Sequence, residues 1–208
     1  MNIGILRIDQ QEPLISCLDR IKGLSDLDVS ENRGIKLDSL LATAREHCTD
    51  LQTLVFADSE NQVGTSDGFD GLPVHITETN GLEFLKKLDL EGSVRGYEST
   101  ILQSSALQNV QYLNLSNTFM DPGLITDLFS SNIIKKIEFL GLANCGLPNV
   151  CFPHLKKPKL NLKMIDLRYN SVRKFHLGAR PYLENVLIFA WTAINENTSS
   201  LATTQQTQ

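Results

Sequence analysis

The sequence predicts an α/β solenoid, with a curved parallel β-sheet on the concave face, helices and turns on the convex face, and about eight repeating units. Two observations predict it. Three stretches, VQYLNLSNT from Val110, IEFLGLANC from Ile137 and LKMIDLRYN from Leu162, each carry a large aliphatic residue at relative positions 1, 4 and 6 and a polar or thiol residue at 9. Positions 4 and 6 alternate as on a strand, not as on a helix. The same template also finds starts at residues 3, 24, 51, 85, 110, 137, 162 and 183, and most of these intervals fall in the roughly 20–29 residue range of one known class of structural repeat.

These stretches resemble the leucine-rich-repeat signature L-x-x-L-x-L-x-x-N/C. The full spacing recurs in units two, four, five, six and seven, while units one, three and eight match only as short apolar strands. The resemblance spans residues 3–194. Its longer helical units are similar to those of the ribonuclease-inhibitor-like subfamily, and its last two to shorter, irregular repeats. It implies a protein-binding module without catalytic activity or cofactor, of the kind found among enzyme inhibitors, adaptors and effectors of intracellular bacteria. It also implies that side chains at positions 3, 5 and 7 line the concave sheet and that the ninth side chain turns inward to backbone amides.

Taken in order, strand one is IGILRIDQQ from Ile3, with Leu6 and Ile8 inward. The following EPLISCLDRIKG has Leu14, Ile15, Leu18 and Ile21 at helical spacing. Strand two starts at Leu24, and LDSLLATAREHC gathers Leu37, Leu40, Leu41 and Ala44 on one helix side. Strand three starts at Leu51. After it, residues 59–82 are rich in Gly, Asp and Thr, with turn signals at Asp67–Gly68, Asp70–Gly71 and Asn80–Gly81, and read as an insertion loop. Strand four starts at Leu85, and GYESTILQSSALQN supplies its helix through Ile101, Leu102 and Leu107. After strand five, Asp121 and Pro122 make a helix start, an N-cap carboxylate followed by a proline in the first turn. After strand six, LPNVCFPHLKKPKLN has three prolines and no helical period, so turns are expected. Strand eight starts at Leu183, with Val186 and Ile188 inward. Residues 1–194 thus read as one domain and the polar residues 195–208 as a disordered tail.

Composition adds limits. The chain of 208 residues is 41% hydrophobic and 21% charged, an ordinary globular balance. No run approaches the roughly 18 apolar residues of a membrane span, and no secretion signal is recognisable, so a cytoplasmic location is expected, or a host cytoplasm for an effector. Cys17, Cys48, Cys145 and Cys151 lack the paired spacing of a disulfide framework and are expected to be reduced and buried. Residues 1–104 carry 18 acidic and 9 basic side chains, a balance of -9, whereas residues 105–208 carry 6 and 10, a balance of +4. An elongated molecule with that asymmetry repels anions at one end and attracts them at the other.

The functional expectation follows from the concave positions. Tyr112, Phe139, Met164 and Leu187 fall on adjacent strands as an apolar and aromatic stripe, with Asn114, Asp166 and Arg168 beside it. Such residue types anchor protein interfaces. Asp26, Asp28, Asp89 and Glu91 are expected to meet basic groups of the same protein partner. A second reading places nucleic acid or an anionic membrane on Lys156, Lys157, Lys159, Lys163, Arg173, Lys174 and Arg180. No phosphate loop, nucleophile with base or metal-ligand cluster stands out; Cys145, Cys151 and His154 at C-x5-C-x2-H spacing straddle a ladder position and a proline turn. The outer edge of strand one has no amphipathic cover, which leaves room for pairing with another copy.

Overall fold

Each repeat needs only about three extended residues to build the sheet, because the middle one points into the core and its two neighbours to the opposite side of the sheet. The computed structural model of the chain describes residues 2–3, 16–18, 20–32, 35, 37–58, 82–93, 105–148, 160–171 and 186–189. Among them lie eight strands: β1 Asn2–Ile3, β2 Asp26–Asp28, β3 Thr53–Val55, β4 Lys87–Asp89, β5 Tyr112–Asn114, β6 Phe139–Gly141, β7 Met164–Asp166 and β8 Leu187–Phe189. They form a single parallel sheet in chain order.

The core is the 1-4-6 pattern stacked upon itself. Leu24, Leu27 and Val29 lie below Leu51, Leu54 and Phe56, and the series continues to Leu162, Ile165 and Leu167, all at most 5% exposed. Burying a Leu or Ile contributes about 1.5–3 kcal/mol, and three per unit cannot be covered within that unit, so stability comes from neighbours. Helix α1 (Leu37–His47) buries Leu37, Leu40, Leu41 and Ala44, the expected side. Helix α2 (Pro122–Ser130) starts as expected: Asp121 is extended and accepts from the Gly123 amide at 2.6 Å, and Ile125, Leu128 and Phe129 are buried. A 3-10 turn at Ile133–Lys135, not anticipated from the sequence, tucks Ile134 into the core. Another at Ser105–Asn109 carries buried Leu107; Ile101 and Leu102 of the expected helix lie outside the described residues.

Four expectations need correction. Ile3 pairs with Leu27 and so takes position 4, which the sequence reading gave to Leu6. In the sequence, aliphatics at 3, 5, 6 and 8 fit both parities, so spacing alone could not choose the register, and Leu6 and Ile8 lie outside the described residues. Ile188, not Val186, pairs with Ile165. This shift is even, so Leu187 keeps its face and joins Met164 in register. Leu82 is 2% exposed and accepts from the Leu85 amide, so it belongs to the core and not to the insertion. Cys17 is exposed, although Cys48 and Cys145 are buried, and all three are free thiols. Cys151, residues 59–81, the proline-rich segment at 149–159 and the tail at 195–208 lie outside the described residues. No helix among the described residues is long and apolar enough to cross a membrane.

Candidate functional site

Parallel strands run about 4.8 Å apart, so side chains at one repeat position stack along the sheet. At position 3 the row reads Lys87, Tyr112, Phe139, Met164, Leu187. Tyr112 and Phe139 stack with centroids 4.2 Å apart and planes 7° from parallel. Lys87 Nζ sits 4.9 Å from the centroid of the Tyr112 ring. Tyr112, Phe139 and Met164 are half-buried, and Leu187 is 47% exposed. The four side chains therefore share one row of the sheet, partly open to solvent.

Position 5 has a task that the sequence reading did not assign. Asp28, Asp89, Asn114 and Asp166 each accept from the backbone amide two residues on, at Ser30, Glu91, Ser116 and Arg168, over 3.0–3.3 Å. These are Asx turns that close the strand end. Val55 and Gly141 cannot do this. In their units the position-7 amides of Ala57 and Ala143 donate instead to Ser30 Oγ at 3.3 Å and Ser116 Oγ at 3.1 Å, one repeat earlier. Asp28 and Asp89 thus bind their own backbone first, and basic groups of a partner would meet carboxylates already engaged. The local sequence signal, Asp or Asn two residues before the turn, was there to be read.

The next residue is left-handed in every described unit from the second to the seventh. Glu31, Asp58, Asn117, Asn144 and Tyr169 have φ between 50° and 60°, and Gly92 has φ 68°. Asn and Asp tolerate that region and Gly is free there, but for the bulky Tyr169 it is unusual. Tyr169 is also 69% exposed.

Glu91 is held by two amide donors, Asn114 Nδ2 at 3.1 Å and Asn117 Nδ2 at 2.7 Å, and Asn144 Nδ2 donates to Asn117 Oδ1 at 2.9 Å. Across unit six, Arg168 forks onto Asp166, Nε to Oδ1 at 2.9 Å and Nη2 to Oδ2 at 2.6 Å. Unit six contributes only Gly141 and Ala143 at positions 5 and 7; the Asn114 side chain fills the space over Gly141, and the opening between these groups lies over Ala143. A Cβ on Gly141 would collide with Asn114 Oδ1. The gap is a concave pocket of ≈ 300 Å³ with Ala143 and Ser116 in its lining, Glu91 and Asn117 on one side, Asp166, Arg168 and Tyr169 on the other, and the Tyr112 and Phe139 rings along a third.

Electrostatics follow from this packing. Burial, with the Asp89 and Glu91 carboxylates beside it, pushes the Tyr112 hydroxyl up to about 12, so it stays protonated at neutral pH. Burial also lifts the Asp89 carboxyl above its ordinary range. Hydrogen bonds from Ser25 and Thr53 lower Asp26. The hydrogen bonds to Asp166 raise the Arg168 guanidinium further and keep it charged.

Of the candidate residues, Glu91, Tyr112, Asn114, Phe139, Asp166 and Arg168 line the pocket, Asp89 lies behind Tyr112 on β4, Met164 and Leu187 extend the row, and Asp26 and Asp28 lie apart on β2. The sequence reading puts Lys87 at position 3 of the concave face without making it a candidate, and does not assign Asn117, Asn144 and Tyr169 to the face; these could have been found from Asn and Tyr at position 8. Of the basic cluster, only Lys163 is among the described residues, and it pairs with Glu138 at 2.7 Å. Asn114, in a glycosylation sequon by sequence, is 7% exposed and bonded to Glu91.

The ninth-position ladder completes the repeat geometry. Asn170 Oδ1 accepts from the amides of Cys145 and Leu147, and its Nδ2 donates to the carbonyls of Leu142 and Leu167. The Cys145 thiol donates to the Leu115 carbonyl at 3.3 Å. Stacked three-residue strands with this inward ladder make the chain a leucine-rich-repeat solenoid in fold. Among solved structures it is similar to human 5T4 (Wnt-activated inhibitory factor 1, trophoblast glycoprotein), a leucine-rich-repeat protein, with a TM-score of 0.56 and 18% identity. The match covers 81% of this chain and 60% of that one, so this chain spans less than two thirds of that chain's length, and at this identity the likeness shows the fold alone. No protein-family model matches the sequence, and neither does any curated protein.

Proposed function

We propose that the chain is a single-domain, cytoplasmic protein-binding module that grips a partner protein on its concave face and serves as an inhibitor or adaptor, with repeats of the ribonuclease-inhibitor-like kind. The observation that carries this reading is the stacked, half-exposed Tyr112 and Phe139 pair set between Lys87 and Met164 on a rigid sheet. Aromatic and Met side chains presented on a preorganised surface bind at small entropic cost and are the usual energetic anchors of interfaces. The basic C-terminal alternative gains no support, since the one member described is already ion-paired.

The test is affinity capture with the purified chain, read by mass spectrometry and repeated with a Tyr112→Ala/Phe139→Ala variant and with an Asp127→Ala control on the exposed side of α2. The double variant should keep its circular dichroism spectrum and lose about tenfold or more in affinity for the captured partner, while the control keeps it. Equal retention by the double variant defeats the proposal.

A further inference from the structure

We infer that the pocket over unit six takes an arginine side chain from the partner. The inference rests on the concave-face reading above and makes it more specific. Charge selects the occupant. On the described concave positions the acids are Asp26, Asp28, Asp89, Glu91 and Asp166 and the bases are Lys87 and Arg168. Both bases are already committed: Arg168 is forked onto Asp166, and Lys87 lies over Tyr112 beside Asp89. Glu91 is different. Its two oxygens are held by neutral amides, Asn114 Nδ2 and Asn117 Nδ2, and no cation among the described residues forms an ion pair with it. Those donors fix the carboxylate in place at the pocket wall without an ion pair among the described residues, and its charge acts on Arg168 only at longer range.

Shape selects arginine over lysine. The pocket is bounded on one side by the paired Tyr112 and Phe139 rings and reaches the Tyr169 ring on the other. Phe139 stacks on one face of Tyr112 and Lys87 lies over the ring from the other side, so neither of its faces is open. The selection rests on the fork: a planar guanidinium can present two donors at once to the fixed Glu91 carboxylate, and a compact ammonium cannot. The small Ala143 leaves the side chain room to enter, while Asn114 fills the space over Gly141, where a Cβ would collide with it, which shows how tightly the groups holding Glu91 are set.

The experiment selects a displayed random 12-residue peptide library on the full chain, with counter-selection on the Tyr112→Ala/Phe139→Ala variant. Selected peptides should share an arginine. Replacing it with lysine should weaken binding several-fold, and replacing it with citrulline, or changing Glu91→Gln in the protein, should cost about tenfold or more. Gln at 91 keeps an acceptor for one of the two asparagines and loses the other, so an unchanged melting curve is needed beside it to confirm an intact fold. Peptides that need Tyr112 and Phe139 but carry no required arginine, or that bind Glu91→Gln as well as the parent, overturn this inference and leave the concave-face reading standing. Peptides that bind the double variant equally overturn both.

Discussion

Thr118 holds a ladder position where its neighbours are Ser93 and Cys145, yet its buried hydroxyl has no hydrogen-bond partner among the described residues. A desolvated, unpaired hydroxyl costs about 1–3 kcal/mol, and valine fills the same space without it. Thr118→Val is expected to raise stability by about 1 kcal/mol in denaturant titration. Asp89 offers a second test, through pH. Burial raises its carboxyl above the ordinary 3.8, so its favourable contribution is fully present below the unfolded value and is lost as pH rises through the folded one. At pH 7 the buried charge therefore opposes folding. Asn at 89 would copy Asn114 one repeat on, accepting the same backbone amide without the charge. Asp89→Asn should raise the melting temperature at pH 7, and the gain should shrink as the pH falls below about 4. This dual character of position 5 is why the site was only partly legible. The sequence shows which residues face the concave side, but it does not show that Asp28 and Asp89 are turned toward their own turns.

Among the elements, legibility tracked how unambiguous each local pattern is. Units two to seven came through in register because a polar residue separates positions 4 and 6 in most of them, which fixes parity. β1 and β8 lie in nearly continuous aliphatic runs, where pairing with the adjacent strand decides the register and sequence spacing cannot. Helix α2 was legible because its start is written in two residues. Asp121 satisfies the Gly123 amide, and Pro122 supplies a preset φ where no intrahelical donor is needed. Removing that cap with Asp121→Ala should cost about 1 kcal/mol, seen as a lowered midpoint in thermal unfolding with the helix otherwise retained, because Ile125, Leu128 and Phe129 still anchor it.

For the whole molecule, each strand is covered by the one before and the one after, so stability is shared between adjacent repeats. Leu140, fully buried on β6, faces Leu113 and Ile165 across both interfaces. Leu140→Ala should cost about 2–5 kcal/mol and lower hydrogen-exchange protection on β5 and β7 together. Loss confined to β6 would contradict that coupling. The same interdependence reaches individual substitutions through the serine relay. Ala143 can do without an acceptor at position 5 of its own repeat only because Ser116 supplies one from the repeat before. Ser116→Ala should therefore be costly beside Gly141 and harmless beside an aspartate. The effect of a substitution along this solenoid therefore depends on the residue in the neighbouring repeat, and a segment moved out of it has to carry that neighbour along.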